Sequence, residues 1–248
     1  MTAKIIVIVN QKGGAGKTTV TINLAGSIGR RGYQAAVIDG DEQSSVVEIV
    51  SLAPEDAQLP ASVIGLWKAG RKIHQEIKKF IDLYDYIIVD CPPAANSPIA
   101  QSALLIADIA IVPFIPGTID ALAAPKIRDA IEAAQVTNPE LKALLLLNRV
   151  EPGWSIMKNI IELLPSFKMP MLRNRLNRRA PYVESPGIGN SVHQLKDRKE
   201  KIEPAVREVE KLTDEILAIL KGDIDLDEYG LAHENLTENS EETSLEKM

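Results

Sequence analysis

The sequence predicts an α/β fold: a mostly parallel β-sheet flanked by helices, in a single domain with a C-terminal acidic tail. Three observations predict it. Apolar runs alternate with helical patterns, the mark of successive β–α–β units. The runs are near-continuous in Val, Ile and Leu, as suits strands covered on both faces. A glycine-rich stretch from Gln11 to Thr19 separates the first apolar run from the first helical pattern.

In chain order, strands are expected at 4–9, 35–39, 85–90, 108–113, 141–147 and about 168–173. Helices are expected at 17–31, 44–50, 62–80, 97–106, 118–136, 154–164 and 202–221. Pro125 either breaks the fifth helical pattern or starts its main helix, since proline fits a first turn. Residues 51–60, with two prolines, read as a connecting loop. From Gly222 onward apolar residues thin out and acids dominate, so the domain is placed at 1–221 and residues 222–248 are expected to be disordered or ordered only by a partner.

The stretch Lys12-Gly13-Gly14-Ala15-Gly16-Lys17-Thr18-Thr19 has the chemistry of a phosphate cradle. Its glycines let the backbone turn and approach a ligand, successive N–H groups form an anion nest, and the following helix aims its positive end at the same point. Lys17 would reach the β- and γ-phosphates, and Thr18 would place its hydroxyl on Mg²⁺. The usual first glycine of the pattern is Gln11 here. Strand, loop, Lys-Thr and helix in this order make the fold a P-loop NTPase.

Two further strand ends supply carboxylates. Asp39 and Asp41 follow the second strand at spacing two, so both can face one site. The run Tyr86-Ile87-Ile88-Val89-Asp90 reads as a Walker B strand that delivers Asp90 to the magnesium. Asn148 and Arg149 follow the fifth strand. The first can donate to and accept from adenine; the second either stacks on the ring or stays at the surface. Parallel strands converge on ligands at their carboxyl ends, so these segments belong together.

The form Lys-Gly-Gly-x-Gly-Lys-Thr resembles the deviant Walker A motif of the ParA/MinD family, and small ParA-type ATPases without an N-terminal helix-turn-helix in particular. The resemblance implies an ATP-dependent sandwich dimer in which Lys12 reaches the partner's nucleotide. It implies that Asp41 orients the attacking water, that Asp39 supports the magnesium shell and that Asn148 contacts the base. The stretch Pro113-Phe114-Ile115-Pro116-Gly117 resembles the family's proline-containing segment and adds Pro116 to the nucleotide site. Glu42 stands where the family's Asp-x-Asp-Pro-Gln segment has proline. The implied cofactors are ATP and Mg²⁺, with Gly13, Gly14, Ala15, Gly16, Lys17, Thr18 and Thr19 around the phosphates.

Charge narrows the partners. The chain is −6 overall, but residues 222–248 hold nine acids and one base, which leaves the first 221 residues at +2. Residues 168–201 carry nine bases against three acids. Within them Arg173, Arg175, Arg178, Arg179, Lys196 and Lys199 are candidates for neutralising DNA phosphates without reading bases. The resemblance implies nonspecific double-stranded DNA as a partner, together with an adaptor on a cargo that stimulates hydrolysis. The cargo would be a plasmid, a chromosome or a protein organelle such as a carboxysome. An acidic tail repels anionic lipid, so no membrane partner is expected.

One cysteine, Cys91, excludes a disulfide framework and cannot hold an iron–sulfur cluster; it reads as a packing residue. With no leader-like segment and no apolar run near the ~18–20 residues that span a bilayer, a cytoplasmic protein is expected, and the resemblance adds association with the nucleoid. The competing reading is a biosynthetic P-loop enzyme of the same superfamily that activates a small molecule with ATP. His74, His193 and His233 give it no site-like spacing. A nucleotide-dependent scaffold with little hydrolysis is a third, against which the intact Lys17 and Asp41 argue.

Overall fold

A computed structural model describes residues 2–43, 45–115, 124–151, 167–196 and 199–226. The expected helix at 154–164, Pro116, the start of the helix at 118–136 and nearly all of the tail lie outside them.

Six parallel strands form one sheet: β1 (Lys4–Ile8), β2 (Ala35–Asp39), β3 (Ser62–Gly65), β4 (Tyr86–Asp90), β5 (Ile109–Phe114) and β6 (Lys142–Leu147), in the order β3-β2-β4-β1-β5-β6. Among the described residues it is accompanied by helices α1 (Lys17–Arg30), α2 (Ser45–Ser51), α3 (Ile73–Ile77), α4 (Pro98–Leu104), α5 (Ala124–Gln135), α6 (Pro181–Glu184) and α7 (Lys199–Lys221). Alternation along each strand sends side chains to two separate cores. Ile5 and Val7 join Ile73, Ile77, Ala103, Leu104, Ile127 and Ile131 on one face. Ile6 and Ile8 join Val20, Leu24, Ile28, Val209, Leu212 and Ile216 on the other. Both faces are covered by apolar side chains, which is why the strand sequences read as unbroken apolar runs.

Local sequence sets the helix ends. The Ser97 hydroxyl accepts the Ala100 N–H at 3.1 Å, with Pro98 in the first turn. Pro125 likewise sits in the first turn of α5. Two expectations are corrected. Residues 62–80 are not one helix: Val63 and Ile64 pair with Val37 and Ile38 at the sheet edge, and Gly70, at φ 52° and ψ −126°, breaks the turns that follow. Two β-branched residues beside an open strand outweigh a helical pattern. Residues 168–173 form no strand, only a bridge from Met171 to Leu145. Leu145 N donates to the Pro170 carbonyl and Leu172 N to Leu145, but Pro170 has no N–H with which to extend the ladder.

α7 is tied to α1 by charge as well as by its apolar face. Glu210 accepts from Ser27 Oγ at 2.7 Å and from Arg31 at 2.6 Å, and Arg31 also reaches Asp214 at 2.6 Å. His193 Nε2 lies 2.6 Å from Glu210, and the Ser191 hydroxyl is 3.3 Å from its Nδ1. Burial lowers the His193 pKa below its ordinary 6.5, despite the Glu210 carboxylate. Burial alone would raise Glu210, but the Ser27 hydroxyl, Arg31 and His193 hold it below its ordinary 4.5. Both shifts give the same sign. The unfolded chain binds these protons more readily, so the stability they supply is present above pH 6.5 and falls as pH drops through the folded His193 value, then further below 4.5. A His193→Gln variant should therefore show a flatter dependence of melting temperature on pH between 7 and 5 than the wild type, measured by calorimetry.

Candidate functional site

The carboxyl ends of β1, β2, β4, β5 and β6 meet around the glycine-rich loop. Gly14 and Gly16 take φ of 76° and 91°, and Gly16 stands at the start of α1. A Cβ on Gly16 would lie 2.2 Å from Asn148 Nδ2, so glycine is required there by both torsion and space. The loop is fastened at several points. Asn10 Oδ1 accepts the Lys12 N–H at 3.1 Å, while Asn10 Nδ2 donates to the Pro113 carbonyl. Gln11 Oε1 accepts the Ala95 N–H at 3.0 Å and so ties the loop to the segment after β4.

Lys17 is buried, and its Nζ donates to the Lys12 carbonyl at 3.4 Å. Burial lowers its pKa, with Asp90 pulling the other way. Asp90 is 1% exposed and receives the Thr18 hydroxyl at 2.7 Å and the Thr21 hydroxyl at 3.2 Å. Burial still pushes its carboxyl up to about 7, so its negative charge is incompletely balanced by its neighbours. Thr18 and Asp90, with half-buried Asp41 just after β2, offer hard oxygen donors. Among the described residues no group of three or more His, Cys, Asp or Glu side chains could hold a metal alone. That donor set fits magnesium, which keeps its waters and takes one or two protein oxygens beside phosphate.

Asp39 does something the sequence did not suggest. It is fully buried; Oδ1 accepts the Asp41 N–H at 3.1 Å, and Oδ2 accepts those of Val46 and Val47 at 3.0 and 3.1 Å. The carboxylate that the resemblance implies for the magnesium shell thus also holds Asp41 and the start of α2 in place. Asn148 is similarly engaged: Nδ2 donates to the Ala15 carbonyl at 2.8 Å, and Oδ1 accepts the Arg149 N–H at 2.9 Å. Arg149 itself is exposed, in a left-handed conformation at φ 53°. Cys91 is fully buried in the core, and burial pushes its thiol up, as befits packing.

Beside the loop lies a cavity of about 430 Å³ lined by Thr19, Ile115, Asn148, Asn177 and Tyr182, with Arg149, Arg178 and Arg179 at its walls. The basic residues are thereby divided. Arg178 pairs with Glu151 at 2.5 Å and Arg179 with Glu208 at 2.8 Å, both on this cavity. Arg173 lines a separate depression with Lys211 and Asp214. Arg175, Lys196 and Lys199 are exposed. Gln11, Thr21, Asn177, Tyr182 and Glu208 were missed by sequence reasoning. Only Thr21 left a signal there, three residues after Thr18 on the same helix face.

A glycine-fastened loop opening a helix, a buried lysine and a strand-end aspartate under two hydroxyls define a P-loop nucleotide-binding protein. The chain belongs to the CobQ/CobB/MinD/ParA nucleotide binding domain family, which it matches over residues 6–236. It is 29% identical over 214 residues to the maintenance of carboxysome distribution protein A of Halothiobacillus neapolitanus, covering 86% of this chain and 95% of that one. An ATP complex of Cyanothece McdA shares the fold at a TM-score of 0.68 and 15% identity, covering 86% of this chain and 96% of the other. Cobyrinic acid a,c-diamide synthase from Mycobacterium smegmatis, with ADP and magnesium, does so at 0.65 and 18% identity, covering 90% and 97%.

A Gly16→Ala variant should lose about 1–3 kcal/mol of stability from backbone strain alone. Adding Asn148→Ala should relieve the collision but leave the torsional cost, so the double variant should stay below Asn148→Ala in urea denaturation.

Proposed function

We propose that the chain is a ParA-type ATPase that positions a cargo. The observation that carries the reading is the joining of Lys17, Thr18 and Asp90 at the mouth of one loop, with Asp41 held over it by Asp39. Thr18 and Asp90 would hold a magnesium ion that, when bound, neutralises the β- and γ-phosphate oxygens. Lys17 and the loop N–H groups orient the triphosphate. Asp41 positions a water for in-line attack on the γ-phosphorus; the bond to the β-bridging oxygen breaks, and ADP and phosphate leave. Such chemistry needs placement and charge neutralisation more than a strong base.

Lys12 extends the reading to an ATP-dependent dimer, with its ammonium reaching the partner's phosphates. Similarity to a carboxysome distribution protein over nearly its whole length supports a protein-organelle cargo, approached through an adaptor that stimulates hydrolysis. Among the described residues no helix is long and apolar enough to cross a membrane. Nonspecific DNA is the proposed surface on which the dimer rests. Arg175, Lys196 and Lys199, all exposed, are better placed for it than Arg178 and Arg179, which are committed to carboxylates; Arg173 is retained as a candidate.

The variants separate the steps. Asp41→Ala should cut hydrolysis by about a hundredfold, the scale of losing one positioned group, while ATP-dependent dimers accumulate in light scattering. Lys12→Gln should bind ATP and remain monomeric. If Lys12→Gln dimerises normally, the sandwich arrangement is wrong. Arg175→Glu with Lys199→Glu should weaken ATP-dependent DNA binding and lower its salt slope by about one for each phosphate no longer neutralised. ATPase turnover driven by a metabolite, and unmoved by DNA or adaptor, would favour a biosynthetic enzyme instead.

A further inference from the structure

We propose that Asn177 selects the nucleobase by accepting a hydrogen bond from the 6-amino group of adenine, and that Glu208 fixes the orientation that makes this possible. The proposal rests on the nucleotide-binding reading above and concerns the cavity beside Thr19.

Asn177 Nδ2 donates to Glu208 Oε1 at 2.5 Å, and the Asn177 backbone N–H donates to Oε2 at 3.1 Å. A carboxylate only accepts, so the NH₂ end of this amide must face Glu208 and its oxygen must face away from it. Among the described residues no group donates to that oxygen. Asn177 lines the cavity, and with its NH₂ end held by Glu208 the oxygen is the end of the amide left for an occupant. Glu208 is itself pinned: Arg179 Nε donates to it at 2.8 Å, and the Tyr182 hydroxyl lies 3.0 Å away. Asn148, the other amide on the cavity, has an end on each of two backbone groups, Ala15 O and Arg149 N. Of the two amides, Asn177 is therefore the one with an unclaimed oxygen among the described residues.

Adenine presents an amino donor at position 6, whereas guanine and hypoxanthine present a carbonyl. Two facing acceptors leave both unpaired, and an unmade bond of this kind in a half-buried site costs about tenfold or more in affinity. Ile115 and the Tyr182 ring supply apolar surface for the flat faces of the base, which either purine could use, so discrimination falls to Asn177.

The test is competition binding to the full chain with magnesium, using ATP, purine riboside triphosphate (hydrogen at position 6) and inosine triphosphate (carbonyl at position 6). ATP should bind about tenfold more tightly than the purine riboside compound, and inosine triphosphate should be weaker still. Asn177→Ala should bring ATP and the purine riboside compound to equal affinity. Glu208→Gln, which lets the amide turn, should raise inosine triphosphate relative to ATP. Equal binding of all three by the wild type would overturn the proposal while leaving the nucleotide site intact, and needs no variant to fold. A preference for ATP that survives in Asn177→Ala would also overturn it. Failure of the wild type to bind any of the three would defeat the nucleotide reading as well.

Discussion

Asp90 stands at the end of β4 with a hydroxyl from one turn of α1 on each of its oxygens, and this contact fixes the loop between β1 and α1 in space. Thr18 and Thr21 are three residues apart, so one helical turn presents both to one carboxylate. The sheet register places Asp90 opposite Ile8 of β1 and Asp39 of β2. The loop, the carboxylate and the segment bearing Asp41 therefore share one rigid reference. The same burial that fixes Asp90 pushes its carboxyl up to about 7.

The second organising element is α7, which lies far from the loop in sequence but reaches it by two routes. Its Glu210 and Asp214 grip the far end of α1, whose near end opens the phosphate loop. Its Glu208 holds the wall of the cavity beside Thr19. One helix thus braces both the helix that opens the glycine-rich loop and the wall of the cavity beside it. Residues 177–182 are shaped less by their own sequence than by the carboxylate that gathers Asn177, Arg179 and Tyr182.

How much of this was legible follows from where the information lies. The β1, β4, β5 and β6 runs are buried on both faces, so their composition alone announced them. The phosphate loop is a contiguous motif, and Asp90 ends a recognisable strand. β3 was not legible: it is four residues long, and its strand character comes from its neighbour β2. The backbone bonds of Asp39 were hidden because carboxylates at spacing two suit a metal shell and a backbone cap equally well. Asn177 and Glu208 are 31 residues apart with no shared motif. Only the return of α7 brings them together. The basic stretch was visible as composition, but its partition between a cavity wall and exposed positions depends on which arginines meet glutamates.

Pro170 has a consequence for how copies of this chain can associate. β6 is the last strand of the described sheet, and the chain that runs beside it and past its end makes two isolated bridges, Leu145 to Met171 and Val150 to Asn177, with Pro170 barring a longer ladder at the first. At the opposite margin β3 offers four residues, closed by Gly65 with the Trp67 ring against it. Short or interrupted margins are poor templates for strand addition. Self-association by extension of the sheet is thereby discouraged at both described margins. On the function proposed above, in which copies join and part with the nucleotide, that arrangement helps, because backbone ladders between copies would be slow to undo.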